Sequence, residues 1–317
     1  MQNFLNRIIC GDCIDVLGEV SEPFADLIFA DPPFNIGYKY DKYNDKQKRE
    51  NYIVWTRRWM SVCKKVLKPN GSFYIAIGDD YAANVKIIAD HLGLFMRNWL
   101  IWHYSFGQQT KNKFARSHTH IFYFVSDKKN FTFNDYAIRI PSDRQLIYDD
   151  RRANVKGKMP DDVWDGYSRV CGTFKERTGW HPCQMPENLL KRIMVVSSNP
   201  GDCVLDPFCG SGTTAAAAYQ LDRNYVGIEI SPEYVGKANE RLAELNLKLK
   251  TKNPKPMSDI QLAELKRLLA DMGKSVKEIT SDKKLIKLFT KQFRVRTNNE
   301  KKYTTEQILT AIKEFQI

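Results

Sequence analysis

The sequence predicts a doubly wound α/β sheet that carries an irregular insert and a basic helical tail, and three observations lead there. From residue 7 to about 125, short apolar runs alternate with longer amphipathic ones. Between 127 and 180 that periodicity fades into a polar stretch rich in Asp and Arg. A strand, glycine loop, helix, strand, helix unit then runs to about residue 247.

The elements follow in order. "NRIICGD" and "ADLIFAD" read as strands, the second a continuous apolar run of the kind that fills the middle of a parallel sheet. Residues 48–66 place Tyr52, Trp55, Trp59 and Val62 at helical spacing, which makes these aromatics core rather than ligand, and "KPNGS" is expected to stop the helix. "SFYIAIGDD" is another buried strand; "LFMRNWLIWHYSF" and "HIFYFVS" form a closing pair. Pro186 opens a helix that Asn199-Pro200-Gly201 ends. The expected boundaries are 1–126 and 181–247 for the two halves of one core, 127–180 for the inserted lobe and 248–317 for the tail.

Composition narrows the class. The chain has 317 residues, 43% of them hydrophobic, enough for one large domain with something smaller appended. No apolar run reaches membrane-spanning length and the N-terminus lacks a signal-peptide layout, so no membrane role and a cytoplasmic address are expected. Seven cysteines do not suggest a disulfide framework. Cys10 and Cys13 form a C-x-x-C, but no second pair or His cluster at ligand spacing completes a metal site. The net charge is +12, and residues 248–317, with 17 Lys and Arg against 8 Asp and Glu, supply +9 of it. A solvated helical face is the bland reading of such charge, but its concentration on one appended module favours a nucleic-acid clamp.

Two stretches point to chemistry. In Asp31-Pro32-Pro33-Phe34 the prolines fix φ and give no N–H, so a carboxylate and backbone carbonyls are held as acceptors beside a flat ring. That suits a planar ligand with an amino group; a rigid strand-to-loop turn with an Asp cap is the bland alternative. In "GDCVLDPFCGSGTTAAAA", Gly210, Gly212 and Ala215 match the G-x-G-x-x-G/A fingerprint, and Glu229 ends the next strand where an acidic residue takes a ribose hydroxyl pair. An adenosine-bearing cofactor fits. "GKS" at 273–275 has Leu268 in place of the first glycine of a Walker loop, which excludes an ATPase of that kind. An NAD-dependent oxidoreductase would share the glycines, but it has no use for Asp206-Pro207-Phe208 or for the loop at residue 31. A methyl donor explains both.

The pair "DPPF" and "DPFCGSGTT", with "GDCIDVL" ahead of the first, resembles the S-adenosylmethionine-dependent DNA amino-methyltransferases, and the order of the two loops around an irregular lobe resembles their permuted β class. Supporting matches extend the resemblance from about residue 7 to 245; the tail matches nothing in it. The resemblance implies a Rossmann-like methyltransferase sheet in which Asp31, Pro32, Pro33 and Phe34 form the target-base pocket. It implies that Asp206, Phe208, Gly210, Gly212 and Thr213 hold the methionine end and nucleoside of the cofactor, Glu229 its ribose, and Asp12 and Cys13 its adenine. The substrate it implies is duplex DNA with the target base flipped out. "DPPF" rather than a Ser-Pro-Pro loop favours adenine N6 over cytosine N4. Lys111, Lys113 and Phe114 are expected beside the base and its phosphates, and Arg151, Arg152, Lys156, Arg169 and Arg177 in the lobe are expected to read bases or grip phosphate. His118-Thr119 and Gln184-Met185-Pro186 depart from the commoner His-Glu and Gln-Lys-Pro, which leaves the roles of His118 and Met185 open. A homodimer, a cognate restriction endonuclease and a catalytically silent DNA-binding protein are further options the resemblance leaves open.

Overall fold

The computed structural model describes residues 4–105, 110–140, 142, 144, 148, 150, 152, 154, 156–251, 257–297 and 303–313. The chain divides into two compact units, Met1–Asn134 with Asp161–Lys248, and Asp135–Pro160 with Leu249–Ile317.

The first unit is built on one eight-stranded sheet. Its strands are β1 (Arg7–Cys10), β2 (Ala25–Ala30), β3 (Leu67–Ile77), β4 (Phe95–His103), β5 (His118–Val125), β6 (Val163–Trp164), β7 (Cys203–Asp206) and β8 (Asn224–Glu229). Their order is β1-β8-β7-β2-β3-β5-β4-β6. β1, β8, β7, β2 and β3 run parallel, while β5 is antiparallel to both β3 and β4. The apolar run of β2 is apolar because both faces are covered: Ile28 and Ala30 join one core, and Leu27 and Phe29 join the core on the other side. Helix α1 (Cys13–Gly18) follows β1, α2 (Arg49–Val66) follows β2 and α3 (Asp79–His91) follows β3. On α2, Tyr52 and Trp59 are fully buried as the spacing predicts. "KPNGS" does not form a loop after this helix. Leu67 caps α2 and already opens β3, and the extra residues are taken up as a bulge opposite Ala25 and Leu27.

The position of the site follows from one feature of this topology. From β2 the chain crosses through α2 to β3 on one side; from β7 it crosses through α5 (Thr213–Gln220) to β8 on the other side. Adjacent strands β2 and β7 therefore form the switch point of the sheet, where a crevice opens beyond the carboxyl ends. Ile28 pairs with Leu205, so Asp31 and Asp206 emerge side by side. Two strands over, Cys10 pairs with Glu229, which brings Gly11-Asp12 to the same edge.

The irregular stretch belongs partly to this sheet, since residues 161–180 lie in the first unit and β6 pairs with β4. Helix α4 (Glu187–Ser197) packs Leu189, Leu190, Ile193 and Met194 on the sheet, and α6 (Pro232–Thr251) follows β8.

The second unit has a core of its own. Helices α7 (Asp259–Met272), α8 (Val276–Ser281), α9 (Lys283–Arg296) and α10 (Thr305–Lys313) bury Leu265, Leu268, Phe289, Phe293, Ile308 and Ile312 together. Ser258 with Gln261 and Ser275 with Glu278 form capping boxes at α7 and α8. Its cations are sorted. Arg296 pairs with Glu264 and Asp271, and Arg294 donates to the Tyr303 carbonyl. Lys277, Lys283, Lys284, Lys287 and Lys291 are exposed and form no ion pair among the described residues. Spaced three and four apart, Lys284, Lys287 and Lys291 form a row of about 10 Å along one face of α9. Among the described residues no helix is long and apolar enough to cross a membrane.

Candidate active site

A cavity of about 350 Å³ opens at the switch point. Asp31, Pro32, Pro33 and Phe34 line it, as do Asp12, Cys13, Asp206, Phe208, Gly210, Thr213 and Glu229. Gly212 does not. Its φ of +73° starts α5, and a Cβ there would meet Ala238 Cβ at 3.0 Å, so the missing side chain lets α5 pack on α6.

The loop after β2 is braced from below. The Tyr52 hydroxyl donates to the Pro33 carbonyl at 2.6 Å, while the Pro32 carbonyl has no hydrogen-bond partner among the described residues. The Phe34 ring lies against Gly78, where a Cβ would come within 3.3 Å of it. Beyond the ring, the Asp45 carboxylate gathers the backbone N–H groups of Asn35, Ile36 and Tyr38 at 2.6, 3.2 and 2.8 Å. Asn35 takes a φ of +58° there and ties the loop to Tyr81 and Gln47. The Ser231 hydroxyl donates to Asp41 at 2.6 Å, pinning the same loop to the end of β8. Tyr38, Tyr40 and Tyr43 consequently stand in the cavity wall.

Opposite lies the glycine loop. Asp206 accepts the Phe208 N–H at 2.9 Å. Glu229 accepts Gly210 N–H with one oxygen and Ser231 N–H with the other, both at 2.9 Å, so its orientation is fixed while each oxygen keeps a lone pair. Gly210, with φ +47°, sits against His181, whose Nε2 would lie 2.7 Å from a Cβ. The His181 Nδ1 bonds the Cys183 carbonyl at 2.7 Å, which assigns the proton to Nδ1 and leaves Nε2 an acceptor. Burial holds His181 down to about 4, so the ring is neutral. Phe208 packs edge-on to Trp59 at 5.2 Å and contacts Trp55 at 5.7 Å. Asp12 caps α1 by accepting the Ile14 N–H at 2.7 Å.

Asp31 differs from these groups. Its carboxylate accepts no hydrogen bond among the described residues, and burial, with Asp206 nearby, pushes it up to about 7 against the pull of Arg169. Burial likewise pushes Asp206 up to about 7. A cavity holding Asp31, Asp206 and Glu229 with so few cations suits a ligand that brings positive charge.

The predicted polynucleotide contacts are divided. Phe114 is completely exposed, and with Lys111 and Lys113 it lies in the loop whose Ser117 carbonyl returns to Tyr104 N–H. Arg177 is exposed on the first unit, where it donates to the Gly172 carbonyl. Arg169 lines the cavity itself. In the second unit Lys156 is exposed, and Arg152 is engaged with Asp150, which Arg144 also holds. Arg151 lies outside the described residues.

Several wall residues have no signature in the sequence. Trp55, read as core, reaches the cavity, and Trp102, Tyr104, His181 and Tyr234 line it from distant segments. His118 also lines it, and His118 and His120 both reach Asp79 Oδ1, at 3.1 and 2.9 Å. Trp99 donates to His120 Nδ1, so His120 donates to Asp79 through Nε2–H and the cluster is a closed hydrogen-bond network.

This crevice has the position of a nucleotide site in a doubly wound α/β sheet, with two acidic loops in its wall. A family profile described as DNA methylase matches residues 25–240. The type II methyltransferase M.HpaI of Haemophilus parainfluenzae is 38% identical over 237 residues, 74% of each chain. The DNA adenine methyltransferase YhdJ of Escherichia coli (strain K12) is 39% identical over 250 residues, 76% of this chain and 83% of the relative. The crystal structure of an M1.HpyAVI–SAM complex shares the fold with a TM-score of 0.53 at 23% identity, over 74% of this chain and 98% of that one. The chain belongs to the DNA methylase family, the S-adenosylmethionine-dependent amino-methyltransferases that its paired loops resemble.

The raised carboxylates set a pH dependence. An unfolded Asp loses its proton near ~4, so between about pH 4 and 7 the folded chain holds protons that the unfolded chain has given up, and this contribution to stability falls as pH rises through that window. His181, held down, acts in the opposite sense. A single variant separates the two. In urea unfolding without ligand, Asp31→Asn should sit near the wild-type midpoint at about pH 5 and clearly above it at about pH 8; an offset that does not change with pH contradicts the assignment.

Proposed function

We propose that this chain is a site-specific DNA methyltransferase that transfers a methyl group from S-adenosylmethionine to the N6 amine of an adenine flipped out of duplex DNA. The observation that carries the reading is the Asp31 carboxylate, in the cavity wall beside the Pro32 carbonyl, neither with a hydrogen bond among the described residues, while the Pro33 carbonyl is engaged by Tyr52.

The residues of the glycine loop fit the cofactor. Glu229 has the remaining acceptor capacity for a ribose hydroxyl pair, Asp206 suits a cationic methionine end, and Phe208 with Cys13 and Asp12 offers a nucleoside wall. When bound, S-adenosylmethionine supplies an electrophilic methyl group on a positively charged sulfur.

The exocyclic amine of a base is a poor nucleophile because its lone pair is delocalised into the ring. Asp31 and the Pro32 carbonyl each accept one of its N–H bonds and so favour a pyramidal nitrogen whose lone pair is directed away from both. Positive charge grows on that nitrogen during transfer, and the Asp31 carboxylate interacts more strongly with this state than with the neutral amine. Hydrogen bonds to a charged group contribute about 1.5–3 kcal/mol. An amine paired in a duplex cannot reach the cavity, so the base must leave the stack, and Phe34 supplies part of the stacking that is lost. Lys111, Lys113, Phe114, Arg152, Lys156 and Arg177 serve as DNA contacts in this reading, as does the row on α9.

Adenine is preferred on the Asp at the head of the loop and on the name of the Escherichia coli relative; cytosine N4 offers the same two N–H bonds and is the alternative. The reading includes the permuted β arrangement and the cytoplasmic address. It also includes two partners, a cognate restriction endonuclease, on the type II name of the Haemophilus relative, and a second copy of the chain, on family resemblance.

Single-molecule sequencing of DNA from a methylation-free bacterial host tests the activity. Cells expressing the wild type should carry N6-methyladenine at one motif, and Asp31→Ala should lower its rate of formation by at least ~10–100-fold. No modified base in the wild-type sample refutes the reading. For the tail, changing Lys284, Lys287 and Lys291 together to Gln should weaken DNA binding and make its salt dependence shallower by about 2–3 in log–log slope; an unchanged slope removes α9 from the interface.

A further inference from the structure

Phe114 is expected from the sequence beside the target base, yet it does not line the catalytic cavity. The phenylalanine of the expected base pocket that does is Phe34, which lies against Gly78. Phe114 stands wholly in solvent instead: it is 100% exposed, and no other large apolar side chain among the described residues exceeds 73%. A single exposed apolar side chain is ordinary on a protein surface. What distinguishes this one is the charge around it and the place where it is rooted.

Lys111 and Lys113 precede Phe114, and both are exposed and form no ion pair among the described residues. The Thr110 hydroxyl donates to the Lys113 carbonyl and closes a turn directly before the ring. Two residues after the ring, Arg116 reaches Asp79 with Nε at 2.8 Å and Asp80 with Nη2 at 3.6 Å. The Tyr104 N–H then donates to the Ser117 carbonyl at 2.9 Å, which closes the base of the loop. Tyr104, Arg116 and His118 all line the cavity. Two extended residues span about 7 Å, so the Phe114 backbone lies no farther than that from a residue of the cavity wall. Asp79 directly follows the Gly78 that supports Phe34, so the anchor of the exposed ring adjoins the support of the cavity ring.

A base that leaves the stack remains joined to its strand, so the gap it leaves lies at the mouth of the cavity that receives it. The walls of that gap are the faces of the neighbouring base pairs, and phosphates flank it. A ring set beside two lysines matches this composition: the ring replaces lost stacking and the ammonium groups meet phosphate. We propose that Phe114 enters the duplex and fills the place of the flipped base, while Phe34 stacks on that base inside the cavity. The proposal rests on the base-flipping reading above and gives the two rings different partners.

Binding of the full chain to three duplexes, with a cofactor analogue present, tests it. One duplex carries the methylated motif intact, one has an abasic site at the target position, and one lacks the motif. Phe114→Ala should weaken binding to the first two by ~10-fold and to the third by less than about twofold, while Phe114→Trp stays close to wild type on all three. Changing Lys111 and Lys113 together to Gln should instead weaken all three and make the salt dependence shallower by about 2 in log–log slope, a slope that Phe114→Ala leaves unchanged. Because Phe114 is fully exposed, the Ala variant should unfold at the wild-type urea midpoint, so lost binding is not lost fold.

The abasic duplex is decisive because it keeps the gap and removes the base. A loss on the intact duplex that disappears on the abasic one would mean that Phe114 holds the flipped base, and would overturn the proposal. An equal loss on all three, the mark of an ordinary surface contact, overturns it too, as does no loss on any. A wild type that transfers no methyl group and binds the motif no better than other DNA defeats the functional reading, and the proposal with it.

Discussion

The parallel pairing of β2 with β7 is the constraint on which the rest of the site depends. Both strands are buried on both faces, and their crossovers leave in opposite directions, so the sheet itself opens a crevice where they end. The register then decides chemistry: with Ile28 opposite Leu205, two acidic loops that are 175 residues apart in the chain share one cavity. Each loop is further specialised by what holds it. Tyr52 engages the Pro33 carbonyl, while the Pro32 carbonyl has no partner among the described residues; Asp206 accepts the Phe208 N–H, while Asp31 has no hydrogen bond among the described residues.

Burying carboxylates in this way is unfavourable, and the protein places them at the ends of buried central strands. Trp59 and Phe73 pack in the same core as Ile28 and Ile75, and Phe208 leans on Trp59 from the cofactor side. The penalty of holding Asp31 and Asp206 near each other is therefore offset by the packing of the core beneath them. A ligand bringing positive charge would interact favourably with Asp206, and an amine bringing hydrogen-bond donors with Asp31.

What could be read from the sequence shares a physical origin. Asp31 to Phe34, Asp206 to Gly210 and Glu229 are local: each follows an apolar strand directly, so the pattern that announces the strand also announces where the loop will point. What could not be read is long-range. Arg169 and His181 reach the cavity because the irregular stretch is threaded back over β4 and the glycine loop, a path that no local periodicity records. Tyr38, Tyr40 and Tyr43 are placed by Asp45 and Asp41, acidic residues that read as ordinary loop polarity. Gly212 matched a ligand-loop fingerprint, yet the same absence of a side chain serves helix packing. "KPNGS" has the composition of a turn and is bulged strand, because β2 continues to pair on either side of it. The tail read as basic and helical; that it has a core depended on apolar residues in four separate helices meeting.

The most direct test of the account is a double-mutant cycle between Asp31 and the target amine, using duplexes with adenine or purine, which lacks the amine, at the methylated position. Binding is measured with a cofactor analogue present, for wild type and Asp31→Ala. The account predicts that removing the amine weakens wild-type binding by about 10–100-fold and leaves the variant almost unaffected, a coupling of about 1.5–3 kcal/mol. Equal losses in both proteins would mean that Asp31 does not receive the amine, and would contradict the central claim.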